Sequence, residues 1–431
     1  MLRSLFAGVS GLRNHQVRMD VIGNNIANVN TVGFKASRVN FAEALSQTIR
    51  GAQAPSEVRG GMNAMQVGLG VQVGSIDTLF TQGNLQYTGN LTDLAVQGDG
   101  FLVVGDGLRR FYTRDGAIVM DSDGNLVHAS SGLRLMGWQA DAAGEVNLTA
   151  ALSPLAIPVG AQIPPRATTR VVVSGNLDAG APVYNEADSQ TRSGRWETTL
   201  TVYDSLGNAV PLKLVFTKTA LNQWEWTLTY GQGEEETEVA SGTLEFTTSG
   251  VLARPNPDEP YPPTVVTVDL QDELGSDDLT FELRFEDPAG KNRLTQYAGS
   301  STVALKSQDG YATGSLESFA IDGNGVITGL YSNGRTQVIG QVALALFTNP
   351  GGLLKAGNNL YAESSNSGPA TVGAAGTGGR GTLTAGALEM SNVDLAQEFT
   401  SMITAQRGFQ ANARVITTSD ELLQELISLR R

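Results

Sequence analysis

Heptad repeats occupy both ends of the chain, and they constrain its fold more than any other feature. Near the carboxyl end, apolar residues recur every seven positions, at Leu388, Leu395, Met402, Phe409, Ile416 and Leu423. A second set follows four positions later in the heptad, at Phe399, Gln406, Ala413, Asp420 and Ile427. A sustained pattern of this kind predicts a long helix that packs against other helices along its length.

The beginning of this helix is predicted from a capping signal. Ser391 followed three residues later by Asp394 resembles a capping box, so we expect the helix to begin near Asn392. From there to Leu429 it would extend about 57 Å. A long core helix in an ordinary globular fold remains the alternative.

The amino end carries a matching repeat. Leu5, Leu12, Met19 and Ile26 are also seven residues apart, and no comparable repeat lies between the two ends. The simplest arrangement is a helical coiled coil formed by residues 1–34 and 388–431. Polar residues such as Gln16 and Asp420 interrupt the seams, which lowers the stability of an isolated pair. We therefore expect these helices to need neighbouring molecules.

The middle of the chain reads as β structure in more than one domain. Alternating apolar runs are separated by hairpin signals such as Asp123-Gly124, Asp322-Gly323 and Asn333-Gly334. We predict a multi-domain fold, in which the terminal coiled coil is joined to a mainly-β body of two domains, one inserted in the other. The predicted divisions are a connector with extended strands at 35–75, a first β domain at 76–165 with 311–387, and an inserted acidic outer β domain at 166–310.

Two further predictions concern packing in this body. The spacing of strands in the inserted domain is typical of a sandwich or barrel, with Trp196, Trp224 and Trp226 in its core or in cross-strand pairs. The segment Ser364–Gly381 is rich in Gly, Ser, Thr and Ala, so we expect a poorly packed link to the last helix.

Charge and cysteine content narrow the possible functions. Residues 231–290 carry 15 acidic and 2 basic side chains, which argues against nucleic-acid binding and favours a solvated outer surface. The chain has no cysteine, so disulfides and thiolate ligands are excluded. No apolar run is long enough to span a membrane, and the first residues do not match a cleaved signal peptide.

No pattern in the sequence predicts catalysis, a cofactor or a metal site. His15 and His128 are the only histidines, and phosphate-binding, nucleophile-elbow and zinc-protease motifs are missing. Asp121 to Asn125 resembles the start of a calcium loop, but a hairpin turn explains it better. A calcium site remains open for the acidic cluster Asp269, Asp272, Glu273, Asp277 and Asp278, although its spacing does not fit an EF-hand.

Particular runs at both ends resemble a known family. The run Gly23-Asn24-Asn25-Ile26-Ala27-Asn28-Val29-Asn30-Thr31-Val32-Gly33-Phe34-Lys35 resembles the signature of the flagellar rod and hook axial proteins. The run from Ser391 to Leu426 resembles the matching signature at their other end. The resemblance continues inward through Asp93–Phe101, Tyr112–Gly116 and Gly340–Phe347.

The resemblance implies a structural subunit of a helical homopolymer rather than an enzyme. Within the family, length and the insert at 166–310 favour a subunit of the hook, a curved, flexible joint that transmits torque from the rod to the filament, over a distal rod subunit. The implied partners are copies of the chain itself, the distal rod, the hook cap, the hook–filament junction proteins and the flagellar type III export apparatus. A secreted β-rich adhesin or binding module is the alternative from another class.

The helical repeats and the asparagine-rich run supply the predicted subunit-interface residues. On the amino-terminal side these are Leu5, Leu12, Met19, Ile26, Asn24, Asn25, Asn28 and Asn30. On the carboxyl-terminal side they are Leu395, Phe399, Met402, Gln406, Phe409, Ile416, Leu423 and Ile427. For the asparagines, a plain helix end and turn is the alternative role.

Overall fold

The chain divides into two compact units. The computed structural model describes residues 2–55, 59–142, 144–158, 160, 162–187, 189–231, 236–256, 259–271, 275–287, 290 and 292–428. Unit 1 comprises residues 1–159, 318–329 and 336–431, and unit 2 comprises residues 160–317 and 330–335. The predicted mainly-β body with a helix at each terminus is confirmed. The finer division into helical, connector and β domains stays a prediction.

Unit 1 begins with a helix and twelve strands. These are α1 Leu2–Ala27, β1 Ser37–Glu43, β2 Ser46–Arg50, β3 Met65–Gly68, β4 Val71–Thr78, β5 Leu85–Tyr87, β6 Leu94–Gln97, β7 Phe101–Gly105, β8 Arg110–Thr113, β9 Ile118–Met120, β10 Leu126–His128, β11 Arg134–Gln139 and β12 Ser153–Pro154. Helix α1 ends where the asparagine-rich run predicts, because asparagine side chains compete for the backbone groups that a helix needs.

The strands of unit 2 follow, and two more strands lead back to unit 1. They are β13 Gln162–Ile163, β14 Arg170–Asp178, β15 Arg195–Tyr203, β16 Ala209–Ala220, β17 Gln223–Tyr230, β18 Thr237–Glu245, β19 Thr264–Val268, β20 Leu279–Arg284, β21 Leu294–Tyr297, β22 Ala304–Gln308, β23 Gly314–Ile321 and β24 Val326–Tyr331. A short 3-10 helix, Ser189–Gly194, precedes β15.

The chain ends with the remaining elements of unit 1. They are β25 Thr336–Leu346, the 3-10 helix Pro350–Gly352, β26 Leu354–Gly357, β27 Leu360–Ala362, β28 Thr371–Ala374, β29 Thr382–Ala385, β30 Ala387–Glu389 and α2 Leu395–Ser428. Helix α2 begins three residues later than predicted. Asp394 is its cap, because its Oδ1 accepts hydrogen bonds from the N–H groups of Ala396 (2.8 Å) and Gln397 (3.2 Å).

Strand β25 is central to the β core of unit 1. It pairs antiparallel with β11, β7 and β28, and β8 extends the sheet beside β7. Phe101, Tyr112 and Phe347 meet edge to face in the core beside this sheet. The predicted loose link is wrong, because β28 pairs with β25 and Ser367 and Ala375 are buried.

Unit 2 has two sheets around one apolar core. One sheet has the order β15-β16-β17-β18, and the other has the order β19-β20-β14-β21 with β22 also paired to β14. Side chains from both sheets form a single cluster that includes Trp224, Trp226 and Phe281. Trp224 and Trp226 are buried and Trp196 packs against the cluster, as the sequence predicts.

Three hairpin turns share one hydrogen-bonding pattern. At Asp121, Asp204 and Asp322, Oδ1 accepts the N–H groups of the second and fourth residues that follow, at 2.7–3.0 Å. The turn from Asp121 to Asn125 is therefore closed by its own aspartate, as expected for a hairpin.

Candidate subunit interface

The two terminal helices pack against each other in antiparallel directions. A Cβ atom built on Gly11 would lie 2.7 Å from Asn412 Cγ, and one built on Gly408 would lie 2.5 Å from the His15 ring. Residues later in α1 therefore contact residues earlier in α2. Further along the pair, Asn25 Nδ2 donates to Glu398 Oε1 at 3.1 Å. The pair is therefore continuous from the first turns of α1 to its last turn.

Most of the buried residues of the two helices are small or polar, and Ile22 of α1 is the large apolar exception. Gly8, Gly11 and Asn14 are buried on α1, and Ala405 and Ser419 are buried on α2. Residues of this size let two helix backbones approach closely, because no large side chain separates them. Most of the buried residues are therefore smaller than the large apolar side chains of the predicted seam.

Of the predicted heptad residues, Ile416 lies in this contact, because a Cβ atom built on Gly8 would be 3.2 Å from its Cγ1. Half-buried positions are Leu5, Leu12, Met19, Ile26, Met402, Phe409, Ile416 and Leu423. Exposed positions are Leu395, Phe399, Gln406, Asp420 and Ile427. The coiled coil along these heptads stays a prediction, and in the single subunit several of its positions are exposed. Their role between subunits stays a prediction.

A stripe of large apolar side chains is exposed on α2. Leu395, Phe399 and Ile403 follow one another at intervals of four, so they lie on neighbouring turns of one side of the helix. Their exposed fractions are 41%, 51% and 52%. On α1, Phe6 is 70% exposed. Apolar surface gathered in this way is typical of a surface that binds another protein.

The asparagine-rich run serves the subunit itself at two of its four predicted positions. Asn25 is 1% exposed, donates to Ser37 O at 2.8 Å and accepts from Ser37 N at 3.0 Å. This contradicts its predicted place in a subunit interface. Asn28 donates to Asn24 Oδ1 at 2.7 Å, within the last turn of the helix. Asn24 and Asn30 are exposed, and their predicted intersubunit role stays a prediction.

A buried charged cluster ties the residues after α1 to those before α2. Lys35 Nζ lies 2.6 Å from Glu389 Oε1, and Arg114 Nη1 lies 3.2 Å from Glu389 Oε2. The side chains of Lys35 and Glu389 are fully buried. The N–H of Gly83 also donates to Glu389 Oε1 at 2.8 Å, and Lys35 Nζ donates to Thr81 O at 2.8 Å.

The surroundings of Lys35 change its pKa in opposite directions. Burial lowers the pKa of Lys35, the negative charge and hydrogen bond of Glu389 raise it, and the positive charge of Arg114 lowers it. Removing one member would leave a buried charge without its partner, which is costly. The cluster therefore makes the exit of α1 and the entry of α2 depend on each other.

Backbone and amide contacts reinforce the same junction. Asn392 Oδ1 accepts the N–H of Ala36 at 2.8 Å, and its Nδ2 donates to Leu79 O at 2.9 Å. The N–H of Gly33 donates to Glu389 O at 2.7 Å. Gly33 has a positive φ of 67°, and a Cβ there would lie 2.5 Å from Asp115 N. Only glycine fits this turn.

The segment after α1 contains a two-stranded ribbon that is exposed to solvent. Strands β2 and β3 pair antiparallel, and every residue of both strands is exposed. Ile49, Met65 and Val67 contribute apolar side chains to it. Since an isolated two-stranded ribbon is only marginally stable in water, this segment is typical of one that is completed by a neighbour.

The charged cluster and the small-residue helix contact were both missed by sequence reasoning. Glu389 stands between Leu388 and Met390, which indicates a buried charge. The neighbouring sequence does not identify its partners. Among the described residues, no group of three or more His, Asp or Glu side chains is placed to hold a metal ion. Asp272 and Glu273 of the acidic cluster lie outside the described residues.

Models of flagellar domains match most of the chain. The flagella basal body rod protein model matches residues 5–35, and the flagellar hook protein FlgE/F/G D1 domain model matches residues 95–176. The flagellar basal body protein FlaE D2 domain model matches residues 176–311, and the flagellar basal body rod FlgEFG protein C-terminal model matches residues 384–429.

Several full-length proteins are similar to this chain. Flagellar hook protein FlgE of Treponema pallidum is 46% identical and that of Borreliella burgdorferi is 44% identical, with all of both chains covered in each case. Flagellar basal-body rod protein FlgG of Bacillus subtilis is 31% identical, also over all of both chains. Length alone therefore does not separate hook from rod proteins, but the identity to these two hook proteins is higher than that to the rod protein.

A solved structure shows the same fold. The crystal structure of Helicobacter pylori flagellar hook protein FlgE2 superposes with a TM-score of 0.51 and 16% sequence identity. The match covers 65% of this chain and 94% of that one. Among the described residues, none of the helices is both long and apolar enough to cross a membrane.

Proposed function

The chain belongs to the flagellar hook protein FlgE family, and on that premise we propose that its terminal helices form the intersubunit core of a tubular polymer. The protein is a structural subunit of the flagellar hook and not an enzyme. In the proposed assembly, α1 and α2 of each copy pack with the helices of neighbouring copies as a coiled coil. Unit 2 supplies outer surface.

The exposed apolar stripe on α2 carries this proposal. Phe399 and Ile403 are each about half exposed, although they lie on the same helix as the buried Ala405. Burying such side chains against a second copy would contribute about 25 cal/mol for each Å² of apolar surface removed from water. In the monomer these side chains stay in contact with water, whereas in the proposed polymer every subunit would bury them.

The remaining features of the proposal follow from membership of the family. The tube is a curved, flexible joint that transmits torque from the rod to the filament. Its other partners are the distal rod, the hook cap and the hook–filament junction proteins. The subunit reaches the outside of the cell through the flagellar type III export apparatus.

The test replaces the stripe by charge. The double variant Phe399→Asp with Ile403→Asp should fold normally as an isolated subunit, because both side chains already contact water. It should form no tubes, because each interface would have to bury two carboxylates without partners. Electron microscopy and sedimentation measure assembly, and circular dichroism with thermal melting measures folding.

A matched control makes the same chemical change elsewhere. Leu108 and Leu221 are 95% and 82% exposed, and neither lies on a terminal helix. Leu108→Asp with Leu221→Asp should leave both folding and tube formation unchanged. If the stripe variant forms tubes as readily as this control, the proposed role of α2 is wrong.

A further inference from the structure

One outward side of α2 is divided along its length into zones of different chemistry. The apolar Phe399 and Ile403 are followed along the helix by Arg407 and Arg414, and these are followed by Glu421 and Glu425. Successive members of this series are four or seven residues apart. In an α-helix these intervals return to the same side, so all six residues lie on one face.

The two charged zones are free to act between molecules. Arg407, Arg414, Glu421 and Glu425 are all exposed. Within the part of the chain that the structure describes, none of them forms an ion pair with another side chain. The zones are also pure in sign, because residues 399–419 contain no acidic residue and residues 415–428 contain no basic one.

Helix α1 carries a basic residue at the height of the cationic zone. Arg13 lies between Gly11, which contacts Asn412, and His15, which contacts Gly408. It is therefore at the same height along the helix pair as the stretch between Arg407 and Arg414. Residues 2–19 of α1 also contain no acidic residue. The middle of the helix pair thus carries basic side chains on both helices, Arg13 on α1 and Arg407 and Arg414 on α2.

This pattern disfavours one arrangement of neighbouring copies and favours another. If parallel copies stood side by side in register, Arg407 and Arg414 would face their own counterparts and repel them. A shift along the axis by one heptad, about 10 Å, would place Glu421 of one copy beside Arg414 of the next. A shift by two heptads would place it beside Arg407.

We propose that the cationic zone of one copy pairs with the anionic zone of the next, and that this pairing sets the axial stagger between neighbouring subunits. The proposal rests on the proposed function, since it assumes that α2 packs between copies. The partner is a second copy of this chain, because the two zones are complementary and both belong to the same helix. The apolar stripe supplies adhesion, and the charges select the register.

The effect of the charge pairs on assembly depends on their exposure to solvent and on how often the polymer repeats them. One exposed ion pair changes an association constant by up to about fivefold. Salt screens it over about 8 Å at physiological ionic strength. Every subunit of a homopolymer repeats the same pairs, so we expect the critical concentration for assembly to rise as salt is added at low ionic strength.

Two double reversals test the pairing. Arg407→Glu with Arg414→Glu makes the outer face anionic throughout, and Glu421→Arg with Glu425→Arg makes its charges cationic throughout. At low ionic strength each variant alone should show a critical concentration at least about tenfold higher than the unchanged chain, because like charges then meet in every register. Circular dichroism should show that both still fold.

Mixing the two variants gives the sharpest result. An equimolar mixture should assemble into tubes that contain both, because each anionic face then has a cationic neighbour. If the mixture assembles no better than either variant alone, or if each variant alone assembles as the unchanged chain does, the charge pairing is wrong.

A control separates charge position from net charge. Arg109→Glu with Arg110→Glu makes the same change in net charge where the turn after β7 enters β8, and it should leave the critical concentration unchanged. An equal loss in this control would mean that net charge governs assembly, which would overturn the pairing. The pairing can also fail alone, if the double reversals assemble normally while Phe399→Asp with Ile403→Asp does not. The proposed function fails if that stripe variant assembles.

Discussion

In unit 2 the largest side chains lie inside, whereas in the terminal helix pair several of the largest lie outside. Trp224 and Phe281 are at most 1% exposed, in a core made by two sheets of the same unit. On the helix pair, Phe6 and Phe399 are more than half exposed, and Ile22 and Ala405 are the buried apolar side chains.

The difference shows which part of the subunit is complete by itself. A sandwich that buries its aromatic residues gains most of its hydrophobic stabilisation within one chain. A helix pair that buries glycine, alanine and asparagine gains little in that way. In the proposed polymer, another copy would bury the large apolar side chains that the pair leaves exposed.

The largest expected effect comes from the same substitution made in both regions. Phe281→Ala should destabilise unit 2 by about 3–5 kcal/mol, because it leaves a cavity in a closed core. Phe409→Ala should destabilise the isolated subunit by less than about 1.5 kcal/mol, since that ring is only half-buried. In the polymer, where we expect Phe409 to be fully buried, the same change should cost about 3–5 kcal/mol and block assembly.

Denaturant titration of the two variants measures the first pair of values. Tryptophan fluorescence follows unit 2, which contains three of the four tryptophans, and the helical circular dichroism signal follows the terminal pair. Leu221→Ala, at an exposed turn, is the control. Equal destabilisation of the isolated subunit by both phenylalanine substitutions would break the comparison.

A smaller effect is expected where the helices touch. Gly408→Val should destabilise the helix pair by about 1–3 kcal/mol, because its Cβ atom would already lie 2.5 Å from the His15 ring. Gly23→Val is the matched control on α1, since nothing lies within 4 Å of a Cβ atom there. Thermal melting of the helical circular dichroism signal compares them. Equal melting temperatures would mean that the close approach of the two helix backbones does not stabilise the helix pair.

The smallest effect concerns acid, and it is confined to unit 2. Burial alone would raise the pKa of Glu286, but hydrogen bonds from Arg254 and from the Tyr261 N–H, with the nearby Arg254 charge, bring it below the usual value of 4.5. The carboxylate therefore binds protons more weakly in the folded state than in the unfolded state. Its contribution is present above the unfolded pKa and is lost as pH falls through the folded pKa.

Glu286→Gln tests this contribution. At neutral pH the variant should be less stable than the unchanged chain by about 1 kcal/mol, through loss of hydrogen bonds to a charged group. The difference should shrink as the pH is lowered below about 4, where the native carboxylate becomes protonated. A difference that stays constant down to pH 2 would show that the charge of Glu286 does not stabilise unit 2.

The elements with local signals could be predicted from the sequence. The end of α1 follows from its asparagines, and the hairpin turns follow from aspartate and glycine at fixed offsets. The strands of unit 2 and its buried tryptophans follow from alternation and aromatic content. In each case the residues that give the signal are the same ones that make the local structure.

The line of contact between the helices could not be predicted in the same way. A search for heptads looks for large apolar side chains, and here several of those positions are exposed. Gly11, Ala405 and Gly408 carry almost no hydrophobic signal, although they decide how closely the helices approach. The buried pair of Lys35 and Glu389 was missed for another reason, because its two members are 354 residues apart in the chain.

That separation has a consequence for the order in which the subunit can fold. Strands β5 and β6, near the amino end, pair with β30 and β29, near the carboxyl end. Closing a loop of some 300 residues costs about 5 kcal/mol of chain entropy before the contact returns any stabilisation. By contrast, strands β15 to β18 pair in the order of the chain, so their contacts join residues that are close in sequence.

Contacts between distant parts of a chain slow folding. We therefore expect unit 2 to fold early, while unit 1 waits until the last of its residues has left the ribosome or a secretion channel. Until then strands β5 and β6 have no partner, and the residues of unit 1 stay unfolded. The topology of unit 1 thus delays closure of the fold until synthesis or passage is nearly complete.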